Sequence, residues 1–172
     1  MSDNLSGISS TPLLEDMASP ERGAAAKLTI YTIGFTQKTA ERFFSLLRDA
    51  RIENLVDTRI FPNTQLSGFA KGVDLPFFLS NLIGAHYEHR VDLAPTESLL
   101  RDYRNRVLQW QDYEAQYKSL LSERRVEDRL SPTFFTRRTA LLCSEASSKH
   151  CHRRLLVEYL SSSWGPIERI DL

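Results

Sequence analysis

TALLCSEASSKHCHRRLLVEYLSSS, residues 139–163, changes its hydrophobic period part-way along. TALLC is an unbroken apolar run of the kind that fills a strand buried on both faces. From Ser148 the spacing becomes helical, with Leu155, Leu156, Tyr159 and Leu160 forming one stripe. Gly165-Pro166 then turns the chain into a last strand, IERID. A strand, a helix and another strand in that order make the unit from which parallel sheets are built.

The same alternation recurs upstream. LTIYTI is rich in β-branched residues and stops at Gly34, and TAERFFSLLRDA puts Ala40, Phe43, Phe44, Leu47 and Ala50 on one helical face with Thr39 as its N-cap. IENLVD is a short strand ending at Asp57, DLPFFLSNLI a helix with Pro76 in its first turn, and AHYEHR a further strand. The pattern predicts an α/β fold: a single three-layer domain over residues 28–172, its sheet mostly parallel and flanked by helices, with an inserted helical segment at about 97–129. In that segment Trp110, Tyr113, Tyr117, Leu120 and Leu121 share a stripe, which resembles a base-stacking surface but is read as core. Residues 1–27 have no periodicity and are expected to be a disordered lead. TRIFPNTQLSGFAKGV, residues 58–73, carries Pro62, Gly68 and Gly72 and is expected to be an irregular loop, a candidate lid.

The bulk composition narrows the function. A chain of 172 residues that is 41% hydrophobic suits one domain with its own core. Lys+Arg 22 against Asp+Glu 22 removes any general attraction to polyanions, so a nucleic-acid contact would be local. No stretch has signal-peptide character or approaches the roughly 20 apolar residues of a membrane span, so the expected place is the cytoplasm, with no membrane partner and with reduced thiols.

In an open parallel sheet, ligands bind beyond the carboxyl ends of the strands. Cys143 closes its strand there, and Ser147 or Ser148 can cap the following helix. Counting back from the apolar stripe places Cys151 and His152 inward on the helix's first turn, toward Cys143, where the helix dipole favours a thiolate. Both of the chain's cysteines thus converge. Cys151 is the better-placed nucleophile or redox thiol, Cys143 its partner, and Glu145 and His152 the proton-transfer groups. Arg153 suits an anion. A second group at a strand end, Asp57 with Arg59, reads either as a structural ion pair or as an anion grip with Asp57 holding it or serving as a base. Gly34 and Thr36, after the first strand, complete the substrate-binding positions, although one glycine is no nucleotide fingerprint.

The plainer readings are a pair of core cysteines and a structural ion pair. A zinc or iron site would take Cys143, Cys151 and one of His150 or His152. Consecutive helical residues diverge by about a hundred degrees, so His150, Cys151 and His152 cannot all face one ion, and there is no CxxC pair; no metal or other cofactor is assigned. His86 and His89 point to opposite faces of their strand, and Arg137 and Arg138 read as a solvated pair at the opposite edge of the sheet.

Thr32-Ile33-Gly34, Leu55-Val56-Asp57-Thr58-Arg59 with Phe61-Pro62, and Leu141-Leu142-Cys143-Ser144-Glu145 leading to His150-Cys151-His152-Arg153 resemble the domain-of-unknown-function family 488. The resemblance spans roughly residues 28–160, and the Cys-x-Glu strand end followed by Cys-His-Arg is its most specific part. It implies an α/β fold with a cysteine-bearing site at one edge, and nucleic-acid or nucleotide processing. The chain departs from the pattern at Phe35, where the family usually has His, at Ser148, where Pro commonly stands, and in a less basic loop after Pro62. LVDTR also resembles the rhodanese strand end, without the cysteine that opens a rhodanese anion loop. The expected function is a thiol-dependent transferase, hydrolase or oxidoreductase acting on an anionic substrate: a nucleotide, a nucleic-acid end or a phosphorylated metabolite. The alternatives are a non-enzymatic nucleic-acid-binding or redox/metal-sensing module using the Cys143/Cys151 pair, and a scaffold whose cysteines are core. No oligomeric state is assigned.

Overall fold

Five strands, β1 (Leu28–Gly34), β2 (Asn54–Asp57), β3 (His86–His89), β4 (Thr139–Cys143) and β5 (Ile167–Asp171), form one sheet in the order β3-β2-β4-β1-β5. Every neighbouring pair is parallel. The computed structural model describes residues 27–64 and 67–172, so the expected N-terminal lead, apart from Lys27, lies outside the described residues. β2 and β4 are buried along their whole length, as inner strands of a sheet covered on both faces, whereas the edge strands β3 and β5 are half exposed.

Side chains alternate between two cores, one on each face of the sheet. Tyr31, Ile33, Leu55, Ala140 and Leu142 face α1 (Ala40–Asp49) and α2 (Leu75–Ile83), which contribute Phe43, Phe44, Leu47, Leu75 and Leu79. Ile30, Val56 and Leu141 face the other side, where α3 (Glu97–Arg104), α4 (Trp110–Glu123) and α6 (His152–Trp164) contribute Leu99, Tyr117, Leu121, Leu155 and Leu156. Helices on both faces of a parallel sheet make the expected three-layer domain.

The inserted helical segment at 97–129 is present as three helices, α5 (Val126–Arg129) being the last. The chain breaks where Arg106 and Arg125 take left-handed backbone angles, φ 61 and 51. Its aromatics are core as expected: Tyr113 and Tyr117 are buried, with rings 6.2 Å apart, and the Tyr117 hydroxyl donates to the Leu93 carbonyl at 2.6 Å. One local expectation needs correction: α6 starts only at His152. Ser147 accepts from the Lys149 N–H and Ser148 donates to Asp171, so neither caps it; Cys151 occupies the N-cap position with extended backbone.

The topology opens a site. After β1 and β2 the chain leaves toward the face carrying α1 and α2; after β4, which lies between them, it leaves toward the face carrying α6. Chains departing to opposite faces leave a crevice at the carboxyl end of β4, where Cys143 stands beside Gly34 of β1. Among the described residues no helix is long and apolar enough to cross a membrane.

Candidate functional site

Cys143 ends β4 inside the crevice, and the turn after it brings the chain back as Cys151 enters α6. The two sulfurs lie 2.9 Å apart, both buried. The Cys143 sulfur also accepts from the Glu145 N–H at 3.2 Å and from the Arg153 guanidinium at 2.9 Å. With two donors already aimed at Cys143, the proton between the sulfurs belongs to Cys151. Burial opposes ionisation of Cys143, but the Cys151 thiol, the Arg153 charge and the Glu145 N–H together pull its pKa below the ordinary thiol value. Cys151 goes the other way, well above that value, through burial and the neighbouring Cys143 sulfur. Sequence reasoning put the reactive thiol at Cys151; the hydrogen bonds favour Cys143 as the electron-rich sulfur.

Arg153 is held from behind. Its Nε donates to Thr32 Oγ1 at 3.2 Å, and Nη1 also donates to the Glu145 carbonyl at 2.7 Å. Thr32 donates in turn to Asp171 at 2.7 Å, and Ser148 donates to the other Asp171 oxygen at 2.6 Å. Gly34 serves this arrangement sterically: a Cβ there would sit 1.7 Å from the Glu145 carbonyl oxygen and 2.7 Å from Arg153 Nη1. The Thr36 side chain is exposed and its N–H donates to the Ser144 carbonyl at 3.2 Å, so the first edge element braces the Cys143 loop.

His152 lies at the first position of α6, 8% exposed, its ring against Tyr117. Thr58 Oγ1 donates to the Leu142 carbonyl, so it accepts from His152 Nε2 at 2.9 Å, and the Thr58 carbonyl lies 3.1 Å from the same nitrogen. Two acceptors at Nε2 place the ring proton there and leave Nδ1 as the lone pair. Burial, aided by the Arg153 charge, lowers the imidazole pKa to about 4, so the ring is neutral near pH 7.

Asp57 and Arg59 make no hydrogen bond to the thiols, and they bond chiefly to each other. Arg59 folds back onto Asp57 through Nε at 2.8 Å and through Nη2, and its Nη1 donates to the Ala70 carbonyl at 2.8 Å. Asp57 further accepts from the Arg59 N–H at 3.0 Å and the Tyr87 hydroxyl at 2.7 Å. Both side chains are sealed from water, and the guanidinium stacks over Phe35 at 5.2 Å. Three of the five guanidinium N–H donors and both carboxylate oxygens are engaged, which makes the pair a brace, and Arg59 at the same time lines the hollow that Cys143 borders.

Beside Cys143 is a hollow of about 60 Å3, walled by Arg59, Ile60, Phe61 and Thr64 of the loop at 58–73, Leu100 and Arg104 of α3, and by Glu145 and His152. The loop thus forms one wall, although its residues 65–66 lie outside the described residues. Glu145 contributes its backbone to the thiol site and presents an exposed carboxyl to the hollow. A second hollow of about 250 Å3 touches Cys151 from the α3–α4 side, and Arg104 borders both. Among the described residues the exposed Arg104 side chain makes no hydrogen bond or ion pair, which leaves its charge free beside the hollows; sequence reasoning missed it because nothing local brings α3 to this edge. Ligand atoms of Cys143, Cys151 and His152 all lie within 4.8 Å of one another, so these three can hold a soft cation. His150 is turned away, its ring against Trp110 at 4.9 Å.

The family model described as Domain of unknown function DUF488 matches residues 39–160. The chain belongs to the DUF488 family. The part matching the DUF488 model holds Asp57, Arg59, Arg104 and the whole of the segment from Cys143 to Arg153, while Thr32 and Gly34 before it and Asp171 after it complete the arrangement around Arg153 in space. No curated protein and no solved structure matches the chain.

Proposed function

We propose that this protein is a thiol-dependent enzyme whose Cys143 sulfur attacks an electrophilic centre entering the hollow and displaces its leaving group, which departs with the proton of Cys151, the partner thiol. The observation that carries this reading is the convergence of the Cys151 thiol, the Arg153 guanidinium and the Glu145 N–H on one sulfur beside a solvent-connected hollow. Such a sulfur has its lone pairs held in place and its negative charge compensated, which is the form that acts as a nucleophile. Arg104 beside the hollows supports an anionic substrate, such as a nucleotide, a nucleic-acid end or a phosphorylated metabolite. His152, neutral and fixed through Thr58, orients the start of α6 beneath the thiols.

The test is site-resolved alkylation. Reduced protein given less than one equivalent of iodoacetamide should carry the label on Cys143, as mapped by peptide mass spectrometry, and Arg153→Met should slow labelling about tenfold. Inorganic phosphate and a nucleoside monophosphate should protect the parent but not Arg104→Ala. If the folded protein is labelled first at Cys151, or if Cys143 resists excess reagent, the reading is wrong.

The contact between the two sulfurs favours a second reading, a redox module. There the two thiols would pass two electrons and two protons to a disulfide oxidant such as oxidised glutathione, giving an internal disulfide and two reduced thiols. Incubation with oxidised glutathione followed by mass mapping separates the two: an internal disulfide formed stoichiometrically supports the module.

A further inference from the structure

The geometry points to a metal site: Cys143, Cys151 and His152 form three corners of a tetrahedral centre for a soft divalent cation such as zinc, with the hollow supplying the fourth ligand. This goes beyond the thiol-enzyme reading and does not rest on it, because a cation bound here would cap the sulfur that the enzyme reading uses.

A regular helix would have forbidden the arrangement, since neighbouring side chains then point about a hundred degrees apart. Cys151 is not helical. It sits at the N-cap with φ −138 and ψ 140, and the extended step into His152 lets both side chains turn toward the end of β4. The ligand atoms of all three residues consequently fall within 4.8 Å of one another. The same step sends His150 to Trp110, leaving His152 as the imidazole of the set.

The surroundings match what ligating side chains require. A metal-bound imidazole donates its other ring N–H to a carbonyl or hydroxyl that fixes its tautomer. His152 Nε2 meets both, in the Thr58 carbonyl and hydroxyl, so Nδ1 is left to ligate. Metal-bound thiolates accept N–H bonds that spread their charge, and Cys143 already accepts from the Glu145 N–H and Arg153. Two thiolates cancel a divalent charge. A Zn–S length of about 2.3 Å in a tetrahedron sets the sulfurs roughly 3.8 Å apart, so the pair must open by about 0.9 Å from its contact distance of 2.9 Å. Cys151 borders the wider hollow on its far side, which provides room for that displacement. The hollow beside Cys143 and His152 holds about 60 Å3, enough for water as the fourth ligand.

The decisive experiment titrates the reduced, metal-free full chain anaerobically with Co2+, followed by displacement with Zn2+. We expect one Co2+ per chain, sulfur-to-cobalt charge-transfer absorption, and tetrahedral d–d bands that disappear as zinc enters. His152→Gln should weaken binding at least tenfold, while His150→Gln should leave it within twofold. Substituting a buried cysteine can unfold the chain, so the sulfur count is taken on the unsubstituted protein, by X-ray absorption of the zinc form. Two sulfur neighbours near 2.3 Å are expected. Absence of saturable binding, a zinc shell without sulfur, or equal losses from the two histidine variants would each overturn the assignment.

Discussion

At the scale of the residue, the clearest demand is the one Arg59 and Asp57 make on each other. Both are sealed from solvent, and the only cation touching the Asp57 carboxylate among the described residues is Arg59. Removing one partner leaves a buried charge without compensation, so Arg59→Met should cost about 3–5 kcal/mol in urea unfolding. The double variant Asp57→Asn/Arg59→Met should lose less than the sum of its two single changes, because each single change strands the other group. A substrate-gripping arginine would behave differently. Its loss would change stability by about 0.5 kcal/mol or less, and that result would favour an anion grip over a brace. The identities of these residues were legible in the sequence, as was their place at the end of β2. Their role was not, because whether a guanidinium two positions past an aspartate reaches outward or folds back depends on Ala70 and Tyr87, which meet it only in the fold. The thiols were more legible: a strand end and a helix start fixed their meeting place, and only the choice of the electron-rich sulfur needed Arg153 and the Glu145 N–H in position.

At the scale of the element, all five expected strands are present, the inner ones marked by their apolar residues and the edge ones by their place between helices and turns. Helix starts were less legible. α6 begins at His152 rather than at a serine cap, because Ser148 is drawn to Asp171 on β5, 23 residues away. β5 is thereby more than an edge: its last residue ties the loop before α6 to Thr32, and through Thr32 to Arg153. Burial opposes ionisation of Asp171, but hydrogen bonds from Ser148 and Thr32, with the charges of Arg169 and Arg153, hold its carboxyl below the usual range. A lowered folded pKa means stability that is present above the unfolded carboxylate value and lost as pH falls through the folded one. Asp171→Asn should therefore be less stable than the parent at pH 7, and the two should converge below about pH 4, the ordinary carboxylate range, in denaturant titrations at stepped pH. Asp171 is partly exposed, so the difference should be modest. A gap that stays constant down to pH 2 would mean that the tie is one of shape and not of charge.

At the scale of the whole molecule, the sheet order decides where chemistry can occur. β4 stands between β1 and β2, and its outgoing chain alone of the three turns toward the α6 face, so the crevice at Cys143 follows from the order β3-β2-β4-β1-β5 rather than from any one motif. The parallel sheet could be read from the alternation of strands and helices; the strand order could not, because it depends on which long-range pairings bury most surface. Arg104 became visible only with the fold known, since α3 borders the crevice from a part of the chain remote in sequence from Cys143. The same placement gives a whole-molecule consequence of the proposed metal centre. Its ligands come from β4 and from the start of α6, two elements that unfolding separates, so the complete set exists only in the native chain. A ligand confined to the native state adds RT ln(1 + [L]/Kd), about 2.7 kcal/mol at a hundredfold excess over Kd. For a domain of this size that corresponds to a rise in Tm of roughly 5–10 °C. Differential scanning calorimetry of the reduced protein, with zinc and then with excess chelator, should show the rise and its reversal. Thiols in the unfolded chain also bind zinc, which trims the shift without changing its sign. His152→Gln should lose most of the shift and His150→Gln should keep it, since only the former supplies a ligand held by Thr58. Identical melting with zinc and with chelator would show that the native arrangement of Cys143, Cys151 and His152 has no preference for the ion.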